Sequence, residues 1–309
     1  MDIPHPIFNT SEFFIQTPMI NELKGKLHSW LWNGATGGLI LGDYRIGKSR
    51  AVRHISDQIV NRLNQPIIVK CMTVKPRDIN TIRSVFRNLC FALEIESKAR
   101  STSDDMANQL IHFFGDMAQL NDTRQVVLMV DEFQRLSINQ LHAFAELYDN
   151  LSDLKVNLTV IFIGNFEASR HLIEQILRDE HELIRGRFFT QSFNYHGIRG
   201  IEDLHGCLSA YDLEINDTVS TTEAFLPIEY SHGFRLAALS SDIWDIYDQN
   251  YRQTLNLKSW GMHYFTAMMK ALITDYLPAY GCKNEDDIKA MIDESIKVSG
   301  LIPCLVRAE

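Results

Sequence analysis

The segment GDYRIGKS, Gly42–Ser49, has the residue types and spacing of a phosphate-binding loop. It fits the pattern G-x-x-x-x-G-K-[ST], in which backbone N–H groups curl around phosphates, the lysine reaches the β and γ oxygens and the serine holds Mg²⁺. The segment follows an apolar run, residues 38–41, and precedes a helix-like stretch. A phosphate-binding loop requires this context, whereas an accidental Gly-Lys-Ser turn does not, so the context favours the loop. The predicted nucleotide contacts are Gly42, Asp43, Tyr44, Arg45, Ile46, Gly47, Lys48, Ser49 and Arg50, and Ser49 is also a predicted Mg²⁺ ligand.

Two acids, Asp131 and Glu132, follow the apolar run QVVLMV about 80 residues further along the chain. A buried strand that delivers Asp131 at its carboxyl end suits an acid that holds Mg²⁺ through water. The adjacent Glu132 can orient and deprotonate an attacking water. A kinase uses a substrate hydroxyl as nucleophile and has no need of that second acid, so the pair favours ATP hydrolysis. The alternative is an ordinary acidic pair at the surface end of a strand.

Asn165 ends the next apolar run, LTVIFIGN. At the end of a neighbouring strand its amide can lie between the γ-phosphate and Asp131. An isolated asparagine there would indicate only a turn, because asparagine favours turns. In sequence with the first two motifs, it is predicted to sense the γ-phosphate.

Strand-like and helix-like segments alternate along the chain as far as about Tyr195. Short apolar runs predict strands, and apolar residues at helical spacing predict helices. The alternation implies β-α-β crossovers and a mainly parallel sheet. The predicted strands are 38–41, 66–71, 125–130 and 158–163, and the predicted helices are 17–33, 48–63, 78–91 with Asp78 as N-cap, 106–117 and one from about 139.

Helical segments dominate after Tyr195, at 201–211, 234–251, 259–276 and 285–298. The predicted fold is therefore α/β. A nucleotide-binding core with a parallel sheet spans residues 1–195, and a small helical lid with a C-terminal tail spans 196–309.

The charge of the chain is unevenly distributed. The whole chain has a net charge of −9, whereas residues 45–100 carry 12 Lys and Arg against 4 Asp and Glu. Clustered cations of this kind suit contacts with nucleic-acid phosphates. A solvated basic face that balances the acidic remainder is the alternative.

The cysteines and apolar runs exclude several other classes of protein. Five scattered cysteines without a C-x-x-C pair argue against a disulfide framework and against a zinc site. No apolar run approaches the ~18–20 residues of a transmembrane helix, and the segment MDIPHPIFNTSEFF lacks the basic start and apolar core of a signal peptide. We expect a cytoplasmic protein with no membrane partner.

Five motifs occur in order within about residues 12–255: GDYRIGKS, VVLMVDEFQRL, IFIGN, LIRGRF and HGFRLAAL. Together they resemble the AAA+ ATPases that regulate transposition, the TnsC/TniB group, which is related to IstB and to the initiator clade. The stretch FFIQTPMI also resembles the Trp-Ile-x-Tyr-Pro segment that opens many of these proteins. The Asp-Tyr-Arg-Ile filling of the phosphate loop departs from the family pattern, and the tail after about Gly281 matches no pattern of the family.

The resemblance implies roles for further residues. Arg185 or Arg187 is the expected arginine finger, which would stabilise the transition-state charge on a neighbouring subunit's γ-phosphate. Arg235, in a Gly-x-Arg sequence, stands at the position of the second phosphate sensor, and Phe14 and Ile15 are expected to line the adenine site. For each arginine the alternative is an ordinary surface contact. The residues expected to track a DNA backbone are Lys75, Arg77, Arg83, Lys98, Arg100 and Thr102.

The function that the resemblance implies is an ATP- and Mg²⁺-dependent regulator of DNA transposition. Subunits would assemble as rings or filaments on duplex DNA and connect a TniQ-like target-selection adaptor to a TnsB- or TnsA-like transposase, as in CRISPR-associated transposons. ATP hydrolysis would control disassembly. One alternative is a helicase loader that holds single-stranded DNA. Another is a STAND-type signalling switch, which would need a sensor domain.

Overall fold

The computed structural model describes residues 5–9, 12–76, 81–98, 100–213, 219–282 and 284–302. The chain divides into two compact units. The α/β unit comprises the described residues of 22–44 and 48–195, and the helical unit comprises those of 1–21, 45–47 and 196–309. No helix among the described residues combines the length and apolar character needed to cross a membrane.

The α/β unit is built on a five-stranded sheet whose neighbouring strands are all parallel, in the order β2-β3-β4-β1-β5. The strands are β1 Gly37–Gly42, β2 Ile68–Thr73, β3 Gln125–Asp131, β4 Asn157–Asn165 and β5 Ser192–Asn194. The helices are α1 Pro18–Trp32 (whose first turn belongs to the helical unit), α2 Lys48–Ile55, α3 Ile82–Ala92, α4 Ser103–Ala118, α5 Ile138–Asp153, α6 Phe166–Ile176 and α7 Glu182–Phe188. The predicted α/β class and parallel sheet are confirmed.

Both faces of this sheet are buried. Successive side chains of a strand point to opposite faces. On β3, Leu128 belongs to one apolar cluster with Phe86 of α3, Leu110 of α4 and Phe144 of α5. Its neighbour Met129, on the opposite face, is also buried. Burial on both faces explains why the strands read as continuous apolar runs and not as alternating ones.

The strand register brings the ends of β1, β3 and β4 together. Gly42, the last residue of β1, lies beside Asn165, the last residue of β4. Asp131, the last residue of β3, lies beside Ile163 of β4 on one side and Thr73 of β2 on the other. Ligands of open α/β sheets bind outside the carboxyl ends of the strands, so the predicted phosphate-binding residues converge where a ligand is expected.

The helical unit contains α8 Ile201–Asp212, α9 Thr221–Phe225, α10 Pro227–Ser231, α11 Ser240–Tyr247, α12 Met262–Ala271, α13 Leu277–Tyr280 and α14 Glu285–Val298. Its described residues form no named strand, and its one β-type pairing is an isolated bridge between Ile198 and Trp260. Trp260 is buried and stacks on Tyr247 with ring centroids 4.0 Å apart. Aromatic packing thus joins the residues before α12 to α11.

The predicted bounds of α2 and α3 differ from those in the structure. The helix predicted over 48–63 ends at Ile55 and continues only as a 3₁₀ turn, Ser56–Gln58. The amide oxygen of Asn61 accepts hydrogen bonds from the backbone N–H groups of Leu63 and Gln65, which closes a turn in place of more helix. The predicted N-cap Asp78 lies outside the described residues, and Thr81 caps α3.

Candidate functional site

The predicted phosphate-binding loop, Gly42–Ser49, runs from the end of β1 to the start of α2, the context that its sequence predicted. Gly42 ends β1 and Lys48 begins α2. Between them Arg45 and Gly47 adopt left-handed backbone conformations, with φ of 60° and 93°. Turns of this kind direct successive N–H groups into a concavity that binds anions. The loop backbone therefore fits a polyphosphate.

Lys48 is held against the loop itself. Its ammonium donates hydrogen bonds to the carbonyl oxygens of Gly42, at 2.7 Å, and Asp43. Burial lowers the pKa of Lys48 to about 8, and the nearby carboxylates of Asp131, Asp43 and Glu132 only partly oppose this effect. The lysine is thus a half-buried cation beside the two predicted acids, in a position to bind phosphate oxygens.

The side-chain oxygens that could bind Mg²⁺ at this site are few, and they belong to a hydroxyl and a carboxylate, the kind of ligand that this ion prefers. No group of three or more His, Cys, Asp or Glu among the described residues is placed to hold a metal ion. Mg²⁺ usually keeps several waters and takes one or two protein oxygens together with substrate phosphates. The Ser49 hydroxyl and the Asp131 carboxylate fit that requirement. Asp131 Oδ1 accepts the Glu132 N–H at 2.9 Å, which orients the carboxylate.

Glu132 occupies a left-handed backbone conformation, with φ of 60° and ψ of 38°. A non-glycine residue in this region carries strain that the surroundings must compensate, and such residues concentrate at functional sites. Its Oε2 accepts hydrogen bonds from Gln134 Nε2 at 3.0 Å and pairs with Arg135 Nη2 at 2.9 Å. The predicted base is therefore held in one orientation.

Asn165 is buried beside the phosphate-binding loop. Its Nδ2 lies 3.4 Å from the Gly42 carbonyl oxygen, and its Oδ1 accepts the Ala168 N–H at 2.9 Å, which caps α6. Gln134 Oε1 accepts the Asn165 N–H at 3.3 Å, so Gln134 bridges Asn165 and Glu132. The side-chain oxygen of Asn165 is occupied by the cap, and only its NH₂ group remains directed at the loop.

Gln134 and Arg135 are the residues that sequence reasoning missed. They lie in a 3₁₀ turn, Phe133–Arg135, directly after Glu132. One signal was present in the sequence: both residues are polar and follow Glu132 by only two and three positions. In a tight turn, side chains at this spacing can contact the carboxylate.

The two candidate fingers have different surroundings on α7. Arg187 pairs with Asp149 at 2.9 Å and lies 4.7 Å from the ring centroid of Tyr148. Arg185 donates one hydrogen bond, to the Leu177 carbonyl oxygen at 2.7 Å. Arg187 is therefore held by α5, whereas Arg185 has a single backbone partner among the described residues.

Five predicted nucleotide contacts and the second predicted sensor lie in the helical unit; the contacts are Phe14, Ile15, Arg45, Ile46 and Gly47. Arg235 stacks over Tyr230, 3.6 Å from the ring centroid, and donates to the Tyr230 and Phe234 carbonyls. Phe14 is half-buried and Ile15 is buried. The guanidinium of Arg45 lies 3.2 Å from the Tyr264 hydroxyl, so the loop arginine is engaged by α12.

The predicted DNA contacts are mostly exposed and lie outside regular strands. Lys75 lies just after β2, with its ammonium 4.4 Å from the ring centroid of Phe91. Arg83 donates to the Ser101 carbonyl oxygen at 2.9 Å.

The Thr102 hydroxyl accepts the Asp105 N–H and forms a capping box for α4. Lys98 and Arg100 are also exposed, while Arg77 lies outside the described residues. We call Lys75, Arg83, Lys98 and Arg100 the basic face.

Comparisons with known proteins agree with this geometry. Residues 33–172 match the family model of an AAA domain. The ORC2 protein of Aeropyrum pernix, solved in ADPNP–ADP complexes, is 13% identical, with a TM-score of 0.57 over 99% of this chain and 74% of that one. Cdc6p of Pyrobaculum aerophilum is 15% identical, with a TM-score of 0.45 over 96% and 84% of the two chains. No curated protein matches the chain.

The matched segment, residues 33–172, contains the predicted phosphate-binding loop, Asp131 and Asn165, and it is similar to an AAA domain. The fold of the chain is similar to that of the ORC2 protein. At 13% identity this likeness concerns the fold alone.

Proposed function

We propose that the protein is an ATP-dependent regulator of DNA transposition. In this proposal it assembles on duplex DNA, connects a TniQ-like target-selection factor to a TnsB- or TnsA-like transposase, and leaves the DNA when ATP is hydrolysed. The observation that carries the ATPase part is the convergence of Lys48, Asp131 and Asn165 at adjoining strand ends. The transposition part rests on the resemblance of the five motifs to the TnsC/TniB group.

Each residue of the site has a defined task in hydrolysis. The loop backbone and Lys48 bind the phosphates, and Asn165 directs its NH₂ group toward the loop. Mg²⁺, when bound with ATP through Ser49 and Asp131, neutralises charge on the phosphates. Glu132 takes a proton from the attacking water.

Arg185 is the better candidate for the finger that acts on a neighbouring subunit. An arginine finger must be able to leave its own subunit's contacts, and it contributes about 10³–10⁵ in kcat in related phosphoryl-transfer enzymes. Arg187 has an ion pair and an aromatic ring as partners, whereas Arg185 has one carbonyl. Mixing Arg185→Ala with Glu132→Gln protein should restore part of the turnover, since a mixed interface contains one intact base and one intact finger. No recovery in the mixture would favour a role within one subunit.

The basic face supports the DNA part of the proposal. The side chains of Lys75, Lys98 and Arg100 are exposed. Contacts with phosphates carry no base information, so binding should be insensitive to sequence and strongly sensitive to salt.

The test is electron microscopy together with salt titration of DNA affinity. With ATP and duplex DNA we expect rings or filaments on the DNA. The double variant Lys75→Ala/Arg100→Ala should lower the log–log salt slope by about two, equally on unrelated duplexes. Lys26→Ala, which removes an exposed lysine of α1 outside the basic face, is the matched control and should bind like wild type.

Three results would contradict the proposal. An unchanged slope in the double variant would place the DNA path elsewhere. Preference for single-stranded over duplex DNA would favour the helicase loader. A protein that stays monomeric and binds neither duplex nor single-stranded DNA would favour the signalling switch.

A further inference from the structure

Glu132 is held through one of its two carboxylate oxygens. Gln134 and Arg135 both contact Oε2, at 3.0 and 2.9 Å. Over the described part of the chain, Oε1 has no hydrogen-bonding or ionic partner. A general base needs one oxygen free for the water and a fixed orientation of the carboxylate. The two contacts to Oε2 meet both requirements.

Arg135 has a second contact that reaches a different strand. Its Nη1 donates to the Val74 carbonyl oxygen at 2.9 Å, while its Nη2 pairs with Glu132. Val74 directly follows β2, is buried, and donates its own N–H to the Asp131 carbonyl oxygen at 2.9 Å. The next residue is Lys75, the first residue of the basic face. One guanidinium therefore links the predicted base to Val74, the residue directly before the predicted DNA contact Lys75.

The ion pair between Arg135 and Glu132 is too exposed to contribute much to the stability of the fold. The side chains of Arg135 and Glu132 remain 39% and 30% exposed. Ion pairs at this exposure contribute little to stability. A guanidinium that bridges a carboxylate and a carbonyl does, however, restrict the geometry of both, because its donors form a rigid planar fork.

We propose that Arg135 is a positioning residue that orients Glu132 for catalysis and couples this orientation to Lys75, the residue after Val74. This inference rests on the proposed ATPase and DNA-binding function. A phosphate bound at Lys75 shifts the Val74 carbonyl, and Arg135 passes that shift to Glu132 Oε2. DNA binding thereby changes the rate of hydrolysis without contacting the nucleotide.

The experiment measures ATP hydrolysis by full-length wild type, R135A, R135K and R170A, each with and without duplex DNA. Equilibrium binding of ATP is measured on the same proteins. Arg170 is the matched control, because it also pairs with a glutamate three residues earlier, Glu167, at 3.9 Å on exposed α6. We expect R170A to equal wild type in every measurement.

R135A should lower kcat at least about tenfold, part of the ~10²–10⁴ that a general base contributes. Its ATP affinity should stay within about twofold of wild type, because the interaction acts on the chemical step and not on binding. R135K should recover part of kcat, since an ammonium can still pair with Glu132. It should lose the response to DNA, because lysine lacks the second arm of the fork that reaches Val74.

The outcomes separate this proposal from the proposed function. Wild-type kcat in R135A, with hydrolysis intact, overturns the positioning role and leaves the ATPase proposal standing. Equal losses of ATP affinity and kcat in R135A overturn it in favour of a structural role. A full DNA response in R135K, or no response in wild type, overturns the coupling to Lys75. No hydrolysis by wild type overturns the ATPase proposal and this inference together.

Discussion

The strand-end site and the basic face are built in different ways, although Lys75 lies only two residues beyond the end of β2. At the strand ends, register fixes the neighbours: Gly42 is beside Asn165, and Asp131 is beside Ile163. Side chains there are buried or half-buried and share hydrogen bonds. The basic face consists of exposed side chains on loops and at a helix start, and the strand register does not set their positions.

The difference matches what each region would need for its proposed role: the strand-end site needs fixed geometry, whereas the basic face needs only positive charge. Hydrolysis requires the base, the phosphates and the attacking water to be aligned to within a fraction of an ångström. Tracking a DNA backbone requires only clustered cations that release counterions. Single substitutions should therefore have large effects at the strand ends and small, additive effects on the basic face.

The largest expected effect is that of Lys48→Ala on ATP binding. Charge-assisted hydrogen bonds contribute about 1.5–3 kcal/mol each, so the loss of two to phosphate oxygens should weaken ATP binding at least about 100-fold. Calorimetric titration would measure this, with Lys26→Ala as the control that should not change. Unaltered ATP affinity in Lys48→Ala would show that the segment Gly42–Ser49 does not bind the phosphates of ATP.

A second prediction concerns pH. The pKa of Lys48 is lowered to about 8 by burial, so above pH 8 the free protein must gain a proton before Lys48 can bind phosphate as a cation. ATP affinity should then be steady from pH 7 to 8 and fall above it, approaching about tenfold per pH unit. Lys48→Arg should remove this dependence, because arginine stays protonated. A wild-type affinity that remains flat to pH 10 would contradict the lowered pKa.

The smallest expected effect lies at the edge of the basic face. Thr102 was predicted to contact DNA, yet its hydroxyl caps α4. Thr102→Ala should lower the free energy of unfolding by about 1 kcal/mol in urea titration, while DNA affinity stays near that of wild type. Thr102→Ser should retain the stability, since serine also caps helices. Weakened DNA binding in both variants, with stability unchanged, would make Thr102 a DNA contact after all.

The parts of the fold that could be predicted from sequence are those with a periodic or sharply bounded signal. β3 and β4 are long apolar runs and were placed to within two residues at each end. The end of α2 was placed eight residues too late, in a segment where the side chain of Asn61 closes a turn with the N–H groups of Leu63 and Gln65. Such a turn has no apolar period to mark it.

At the candidate site, sequence motifs predicted the residues, but only the strand register shows which of them lie side by side. The proximity of Asn165 to Gly42 follows from β4 lying beside β1, an order that the sequence does not state. The contacts of Arg135 were beyond prediction for the same reason, since Val74 is 61 residues away in the chain. The pairing of Arg187 with Asp149 likewise depends on the packing of α7 near α5.

The central claim is that the strand-end site hydrolyses ATP with Glu132 as the base. The most direct test is Glu132→Gln, measured for ATP affinity and for turnover on the same preparation. Glutamine has nearly the shape of glutamate but cannot take a proton from water. We expect Glu132→Gln to bind ATP within about threefold of wild type and to turn it over at least about 100-fold more slowly. Turnover near the wild-type rate would contradict the central claim.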